Sequence, residues 1–366
     1  VRGLLAVSVI LVFLISGALP AAEMSWKAGI AKAKITPEKP VWMAGYAGRD
    51  HPAEGVLHDL WIKALALEAP DGHRAVIITS DLEAIPGTTC KRICAQLKRR
   101  CGLERRQIMI TCSHTHSAPV LECADPGCYP LDDEQLARIK EYTSVLEDRV
   151  VAAVVDAISG LTPAVLQAAE GTATFAVNRR NNREKELPAL REKGVALKGP
   201  SDHSVPVMAV CTPEGELRAV VFGYACHCTT LGIYEWSGDY AGFAQIALEQ
   251  KHPGVQAMFY QGCGADQNPL PRRTVELCRK YGEMLAASVD SVLSQPMRPI
   301  DPQLRTEFEL IELEYAQQPT KEELQDIATK DNYRGRWAKH FLKVLEQSGS
   351  FPQSRPYPIQ VWRLGK

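Results

Sequence analysis

The stretch Gln107-Ile108-Met109-Ile110-Thr111-Cys112-Ser113-His114-Thr115-His116-Ser117-Ala118-Pro119 constrains this chain more than any other. Its first part is a short apolar run, the pattern of a buried strand. Pro119 stops a ladder from continuing beyond the histidines. Two histidines therefore leave a strand end at spacing i, i+2, which on extended backbone puts both imidazoles on one side. Two neutral imidazoles fixed on one side form half of a zinc site. The same pair also reads as polar loop histidines bonded to backbone, and spacing alone does not separate the two.

The 366 residues are 45% hydrophobic and 23% charged, with formal net charge −1. That composition suits one large domain or two smaller ones. Near-zero charge argues against a general nucleic-acid surface. The chain shows no basic stripe with interleaved aromatics, no phosphate-binding glycine loop and no internal repeat.

Arg2 precedes an apolar run from Leu4 to Ile15, and a small-residue segment follows, Ser16-Gly17-Ala18-Leu19-Pro20-Ala21-Ala22. This is the pattern of a secretory signal peptide over residues 1–22, with a secreted or periplasmic mature protein. The run is short for a membrane span. Eleven cysteines in an exported chain predict some disulfides, and Cys123 with Cys128 are spaced to close a small loop. The chain opens on Val1 and stops at Lys366, straight after the strand-like Ile359–Leu364. The expectation is a fragment, with residues 23–300 the main catalytic unit and 301–366 its continuation.

Taken in order, Lys27–Ile35 alternates like a strand, stopped by Thr36-Pro37. Residues 60–68 and 73–79 predict a hairpin turned at Pro70-Asp71-Gly72, and its second strand runs into Asp81. Helices are predicted over 88–101 and from Asp132 to about Ser159, where acidic residues open the first turn. Two short strands are predicted near 164–170 and 172–177. The basic turn Asn178-Arg179-Arg180-Asn181-Asn182-Arg183 reads by default as a solvated charge run. A second hairpin, 205–211 and 217–225, delivers Cys226-His227-Cys228. Ser237-Gly238-Asp239 opens a helix to about Gln250, and a buried strand at 256–260 leads into Gly262-Cys263-Gly264-Ala265-Asp266. Residues 272–293 read as helix, 304–315 as strand and 320–347 as mostly helical. The alternation predicts an α/β fold with a mixed sheet or two stacked sheets flanked by helices. Asp81, His114, His116, His227 and Asp266 recur just past strand ends, which fits a site on loops at one sheet edge.

His114 and His227 can give nitrogen ligands to zinc, with His116 either a third ligand or an acid/base. Asp81, Asp239 and Asp266 are candidates to complete the shell or to orient the imidazoles from behind. Arg179 is a candidate to hold an oxygen on which negative charge develops. Such a set suits hydrolysis of an amide or ester. Each part has a plainer role too: the aspartates as helix caps or turn residues, His227 as a core histidine, the glycines of 262–264 as a tight turn.

The ordered set Gly29-Ile30-Ala31-Lys32-Ala33-Lys34-Ile35-Thr36-Pro37, Met43-Ala44-Gly45-Tyr46, Ser80-Asp81-Leu82, His114-Thr115-His116-Ser117, Asn178-Arg179, Tyr224-Ala225-Cys226-His227, Gly238-Asp239-Tyr240-Ala241-Gly242 and Gly264-Ala265-Asp266-Gln267-Asn268-Pro269 resembles the N-terminal catalytic domain of the neutral/alkaline non-lysosomal ceramidase family. The resemblance implies a zinc-dependent amidase that splits the N-acyl bond of ceramide, with possible peripheral membrane contact for a lipid substrate. It implies that His114 and His227 bind zinc, that His116 assists the intermediate and that Arg179 contacts substrate. The family's two further zinc ligands, a Glu and a Tyr, match no position before Lys366. Aligning on Asp266 and Pro269 puts Gly262 where the family's proposed nucleophilic serine stands, and Cys263 beside it. Either zinc-bound water acts directly, Cys263 has taken a role, or the substrate differs. The alternatives to a hydrolase are a non-catalytic, metal-containing exported binding protein, which Gly262 favours, and a thiol enzyme using Cys263.

Overall fold

A computed structural model describes residues 25–124 and 127–366 of the chain. The expected signal peptide, 1–22, lies outside the described residues. In chain order come β1 (Trp26–Lys34), β2 (Gly55–Val56), β3 (Trp61–Glu68), β4 (Arg74–Ser80), α1 (Gly87–Cys101), β5 (Ile108–Cys112), α2 (Asp133–Ser159), β6 (Thr162–Thr172) and β7 (Ala176–Asn178). Then follow α3 (Leu187–Glu192), β8 (Ser204–Cys211), β9 (Leu217–Tyr224), β10 (Glu235–Trp236), α4 (Asp239–Lys251), β11 (Gln256–Gln261), β12 (Gln267–Pro269), α5 (Val275–Leu293) and β13 (Arg298–Pro299). The chain ends with β14 (Leu304–Glu314), α6 (Lys321–Ala328), α7 (Tyr333–Ser348) and β15 (Ser354–Leu364).

Nine strands share one sheet, ordered β11-β9-β8-β6-β1-β3-β4-β5, with β13 beside β6. Most neighbours run antiparallel, but β4 with β5 and β9 with β11 run parallel. The α/β reading with a mixed sheet holds.

Alternating side chains show how the sheet folds on itself. Along β3, Ile62, Ala64 and Ala66 pack with Ile93 of α1 and Leu146 and Val150 of α2. Between them, Leu65 and Leu67 pack with Leu166, Val210, Val221 and Met258 of the other half-sheet. In that half, Val220, Phe222, Ala257 and Phe259 turn the other way, onto Leu248 of α4 and Leu285 and Val289 of α5. The outcome is four layers: α1 and α2, the half-sheet β1-β3-β4-β5, the half-sheet β6-β8-β9-β11, then α4 and α5. The central strands β3, β4 and β9 are buried on both faces and read as apolar runs, whereas β1 and β6 keep an exposed face and alternate. Each fully buried Leu, Val or Phe contributes about 1.5–3 kcal/mol. Two polar stitches cross the middle: Lys63 Nζ donates to Ala257 O (2.7 Å) and Glu249 Oε1 (2.6 Å), and Gln256 Nε2 donates to Ala64 O (3.1 Å). Burial pulls the Lys63 ammonium down, and the Glu249 carboxylate opposes it.

Local chemistry explains the element ends. Asp132 caps α2, its carboxylate accepting the Gln135 N–H at 2.7 Å. Asp71 in the β3–β4 turn accepts the His73 N–H at 2.9 Å. One strand prediction is corrected: β6 runs unbroken from Thr162 to Thr172, because Gly171 stays in the ladder opposite Val205. The expected second strand shrinks to β7. The 320–347 segment is two helices, and β15 pairs with β14 along its whole length. The disulfide expectation is also corrected. All cysteines lie among the described residues and all are free thiols, Cys123 and Cys128 included. No helix among the described residues is long and apolar enough to cross a membrane.

Candidate metal centre at the strand ends

β5 ends at Cys112, and the chain then turns onto the loop that follows its parallel neighbour β4. Ser113 N–H donates to Ser80 O (2.8 Å) and His114 N–H to Leu82 O (2.9 Å). His114 takes φ 60°, in the left-handed region that a β-carbon disfavours. The two histidines thus converge through a turn, where the sequence reading placed them on one pleat of extended backbone. His114 Nδ1 lies 2.9 Å from Glu83 O. A carbonyl only accepts, so Nδ1 carries the proton and the Nε2 lone pair is free.

His227 arrives three residues after β9. Its N–H donates to Gln267 O (2.9 Å), at the start of β12, and its Nδ1 to Gly264 O (2.7 Å), in the loop between β11 and β12. This ring too keeps Nε2 free. Gly264 makes the approach possible: a β-carbon there would stand 2.6 Å from Cys226 N and 2.8 Å from Ala225 C.

His116 joins the halves. Its N–H donates to Cys228 O (3.2 Å), and its carbonyl accepts from Arg49 Nη2 (2.9 Å). Its ring meets Tyr46 edge-on, with centroids 4.8 Å apart. Gly45 (φ 90°) forms the floor, where a β-carbon would lie 2.3 Å from the imidazole. His116 Nδ1 is buried without a hydrogen-bond partner.

The ring centroids lie 4.7 Å apart for His114 and His227, 5.0 Å for His114 and His116, and 5.8 Å for His116 and His227. One nitrogen from each comes within 4.8 Å of the others. Two nitrogens sharing a tetrahedral zinc at about 2.0–2.1 Å stand ~3.3–3.4 Å apart. The Nε2 atoms of His114 and His116 are 3.4 Å apart. Burial, with the neighbouring imidazoles second, pushes His116 down to about 3; burial likewise pushes His227 down to about 4. Both are neutral at ordinary pH, as a nitrogen ligand must be. The donor set and its carbonyl anchors fit a metal ion.

The aspartates act elsewhere. Asp81 is buried and accepts from Trp61 N–H (2.9 Å) and Gln245 Nε2 (3.1 Å). Asp239 accepts from the amides of Thr230 (3.1 Å), Leu231 (2.9 Å) and Tyr240 (2.8 Å). Neither bonds an imidazole, so their expected place behind the rings is corrected: backbone carbonyls orient the histidines, and these carboxylates tie down loops. Asp266 accepts from Asn178 Nδ2 (3.0 Å), and its carbonyl receives the Arg179 N–H (2.8 Å). Arg179 then donates from Nε and Nη2 to Ala265 O (3.1 and 2.8 Å). The basic turn is therefore no free charge run, because buried Asn178 and Asn182 anchor it. Cys226 and Cys228 pack into the core of the second half. Cys263 is exposed and outside the nitrogen cluster. At Gly262 an added β-carbon would meet Ala225 at 3.2 Å. The sequence reading gave no role to Gly45, Tyr46 or the Glu83 carbonyl. The first two carried a signal in the stretch Met43-Ala44-Gly45-Tyr46, whereas a carbonyl has none.

Fold and site together define a four-layer α/β sandwich with a cluster of three histidines, a candidate metal site, at one edge. The sequence profile described as neutral/alkaline non-lysosomal ceramidase, N-terminal, matches residues 26–270, and the chain belongs to that family. A neutral ceramidase from Pseudomonas aeruginosa has a similar structure, at TM-score 0.71 and 20% identity, over 93% of this chain and 61% of that one. A structure described as ceramidase complexed with C2 is similar at TM-score 0.65 and 22% identity, over 79% of this chain and 47% of that one. At such identities the likeness is one of fold, and this chain spans about half to three fifths of those proteins. No curated protein matches.

Proposed function

We propose that the protein is an exported, zinc-dependent hydrolase of amide bonds, ceramidase-like, acting on an N-acylsphingosine or another N-acyl lipid or amide. The observation that carries this reading is the pair of locked tautomers: His114 and His227 each give Nδ1–H to a carbonyl and keep Nε2 for a cation. These two residues would hold the metal. When bound, zinc supplies Lewis acidity and lowers the pKa of water from about 15.7 towards ~7.

The chain's own residues divide the remaining work. No carbonyl pins the His116 proton, so this ring can take a proton at Nε2 from the attacking water and return it to the leaving nitrogen. Arg179, on the loop beside His227, can hold the carbonyl oxygen as it becomes negative. Gly262 has no hydroxyl and Cys263 lies outside the histidine cluster, so we take water as the nucleophile. The leader-like pattern of residues 1–22 supports export, and a lipid amide would bring peripheral membrane contact.

The test pairs metal analysis with turnover of short-chain labelled ceramides and simple N-acyl amides, with and without chelator. About one zinc per chain and chelator-sensitive release are expected. No release from any substrate counts against hydrolysis. The rival reading, a metal-containing binding protein without turnover, is favoured by Gly262; stoichiometric amide binding with no product would establish it.

A further inference from the structure

Three guanidinium groups reach the rim of the imidazole cluster. Arg179 lies on the Ala265 carbonyl at 2.8 Å. Arg272 donates to Thr229 O at 3.4 Å, two residues past His227. Arg273 is fixed by its N–H on Thr230 O at 2.7 Å. Its exposed side chain then crosses Tyr46, with the guanidinium carbon 5.4 Å from the ring centroid and Nη1 3.3 Å from the hydroxyl. The same ring stands edge-on to His116. Arg273 is thus one aromatic ring away from the candidate acid/base.

The local charge does not balance. Arg272 pairs with Glu184 at 2.9 Å. Among the described residues, no carboxylate forms an ion pair with Arg179 or Arg273. Asp266 accepts from Asn178 and its charge faces Arg179 without forming an ion pair, and Asp239 is bonded by three backbone amides, which leaves Arg273 without a carboxylate. Arg273 also holds φ 93°, a left-handed state that a residue with a β-carbon keeps only where its surroundings impose it. A neutral amide occupies Arg179 through its carbonyl oxygen and leaves Arg273 without an anionic partner, whereas a carboxylate or phosphate meets the charge and fork geometry of Arg273.

We infer that the amide taken by this site carries an anionic group near the scissile bond, and that Arg273, laid across Tyr46, is the residue that selects it. The inference rests on the amide-hydrolase reading and narrows its substrate class.

The experiment uses the full chain, metal-loaded, with three amides of one acyl group: N-octanoylglycine, N-octanoylphosphoethanolamine and neutral N-octanoylethanolamine. At least one charged amide should be preferred by about tenfold in kcat/KM, the worth of a single charge-assisted contact. The two charged arms tell carboxylate from phosphate. Arg273→Gln should remove most of that preference through KM, and Arg273→Lys should keep much of it. Equal kcat/KM for charged and neutral amides, or a preference unchanged in Arg273→Gln, overturns the inference. If no arm is turned over, the hydrolase reading fails. Equilibrium binding of the same three compounds then still decides the anion question: tighter binding of a charged amide that Arg273→Gln abolishes supports it, and equal affinities reject it.

Discussion

His114 leaves β5 and is held by the loop that follows β4, the parallel neighbour of β5. His227 leaves β9 and is held by the loop that follows β11, the parallel neighbour of β9. In each half a neighbouring carbonyl takes the backbone N–H, Leu82 O or Gln267 O, and a second takes Nδ1–H, Glu83 O or Gly264 O. Parallel pairing explains the match, because it brings two strand ends to one edge, where the loop of one can grip the residue of the other. The halves differ in backbone state. His114 sits at φ 60° and is half-buried, whereas His227 is buried and has no left-handed φ. The first half must also seat His116 over Gly45, and the turn at His114 is what brings both rings inward. The second half is the rigid wall; the first is the fitted side.

The largest expected effect comes from removing either ligand. His114→Ala and His227→Ala should each lower bound zinc to under about a tenth of a site, measured by elemental analysis of dialysed protein. His227→Ala should also lower Tm more, since it strands a buried carbonyl at a cost of about 1–3 kcal/mol. Full metal content in either variant breaks the symmetry of the two halves.

Gly264→Ala and Gly45→Ala probe the difference. At Gly264 the new carbon meets backbone, which cannot yield, so about 1–3 kcal/mol of stability and the metal should both be lost. At Gly45 the new carbon meets the His116 ring at φ 90°. Stability should fall by a similar amount, but zinc should stay while turnover drops at least about tenfold. Loss of zinc from Gly45→Ala would make His116 a ligand and merge its role with that of His114.

Much of this arrangement was legible in residues. Pro70-Asp71-Gly72 marked a hairpin, Asp132 marked the start of α2, and the strand-end positions of His114 and His227 marked a shared edge. The misses have physical causes. Asp81 and Asp239 read as partners for imidazoles because carboxylates commonly serve so, yet Asp81 is spent on the Trp61 N–H and the Gln245 side-chain amide, and Asp239 on three backbone amides. The true orienters are carbonyls, which every residue carries, so no residue type betrays them. Period-2 patterning gives each strand two faces without saying what covers each. The folding of one sheet into two packed halves emerges only in the shared cluster of Leu65, Leu166, Val221 and Met258. Gly171 looked like a strand break but pairs within the ladder.

Acidification gives a smaller effect. In the metal-free protein, His116 and His227 are held down to about 3 and about 4, below the ordinary range near 6.5. Below pH ~6.5 the unfolded chain therefore binds protons that the folded chain refuses. Stability is fully present above that pH, falls as the pH drops towards 4, and levels off once the folded rings titrate. Tm measured from pH 7 to pH 4 should show the decline (roughly the window between unfolded and folded pKa values), and His227→Asn should flatten part of it. A flat profile would mean the second wall is not dry.

Gly262→Ser carries the smallest expected change and the sharpest meaning for the second wall. Its β-carbon would press on Ala225 at 3.2 Å, tighter than ordinary contact but within reach of a small shift. Stability should fall by about 1 kcal/mol, zinc should stay, and turnover should not rise. The carbonyls of Gly264 and Gln267 already fix this loop through His227, so a new hydroxyl has no partner arranged to deprotonate it. A rate increase of about tenfold or more would show that the loop still presents a nucleophile position. It would also move the chemistry from water to a side chain of the second half.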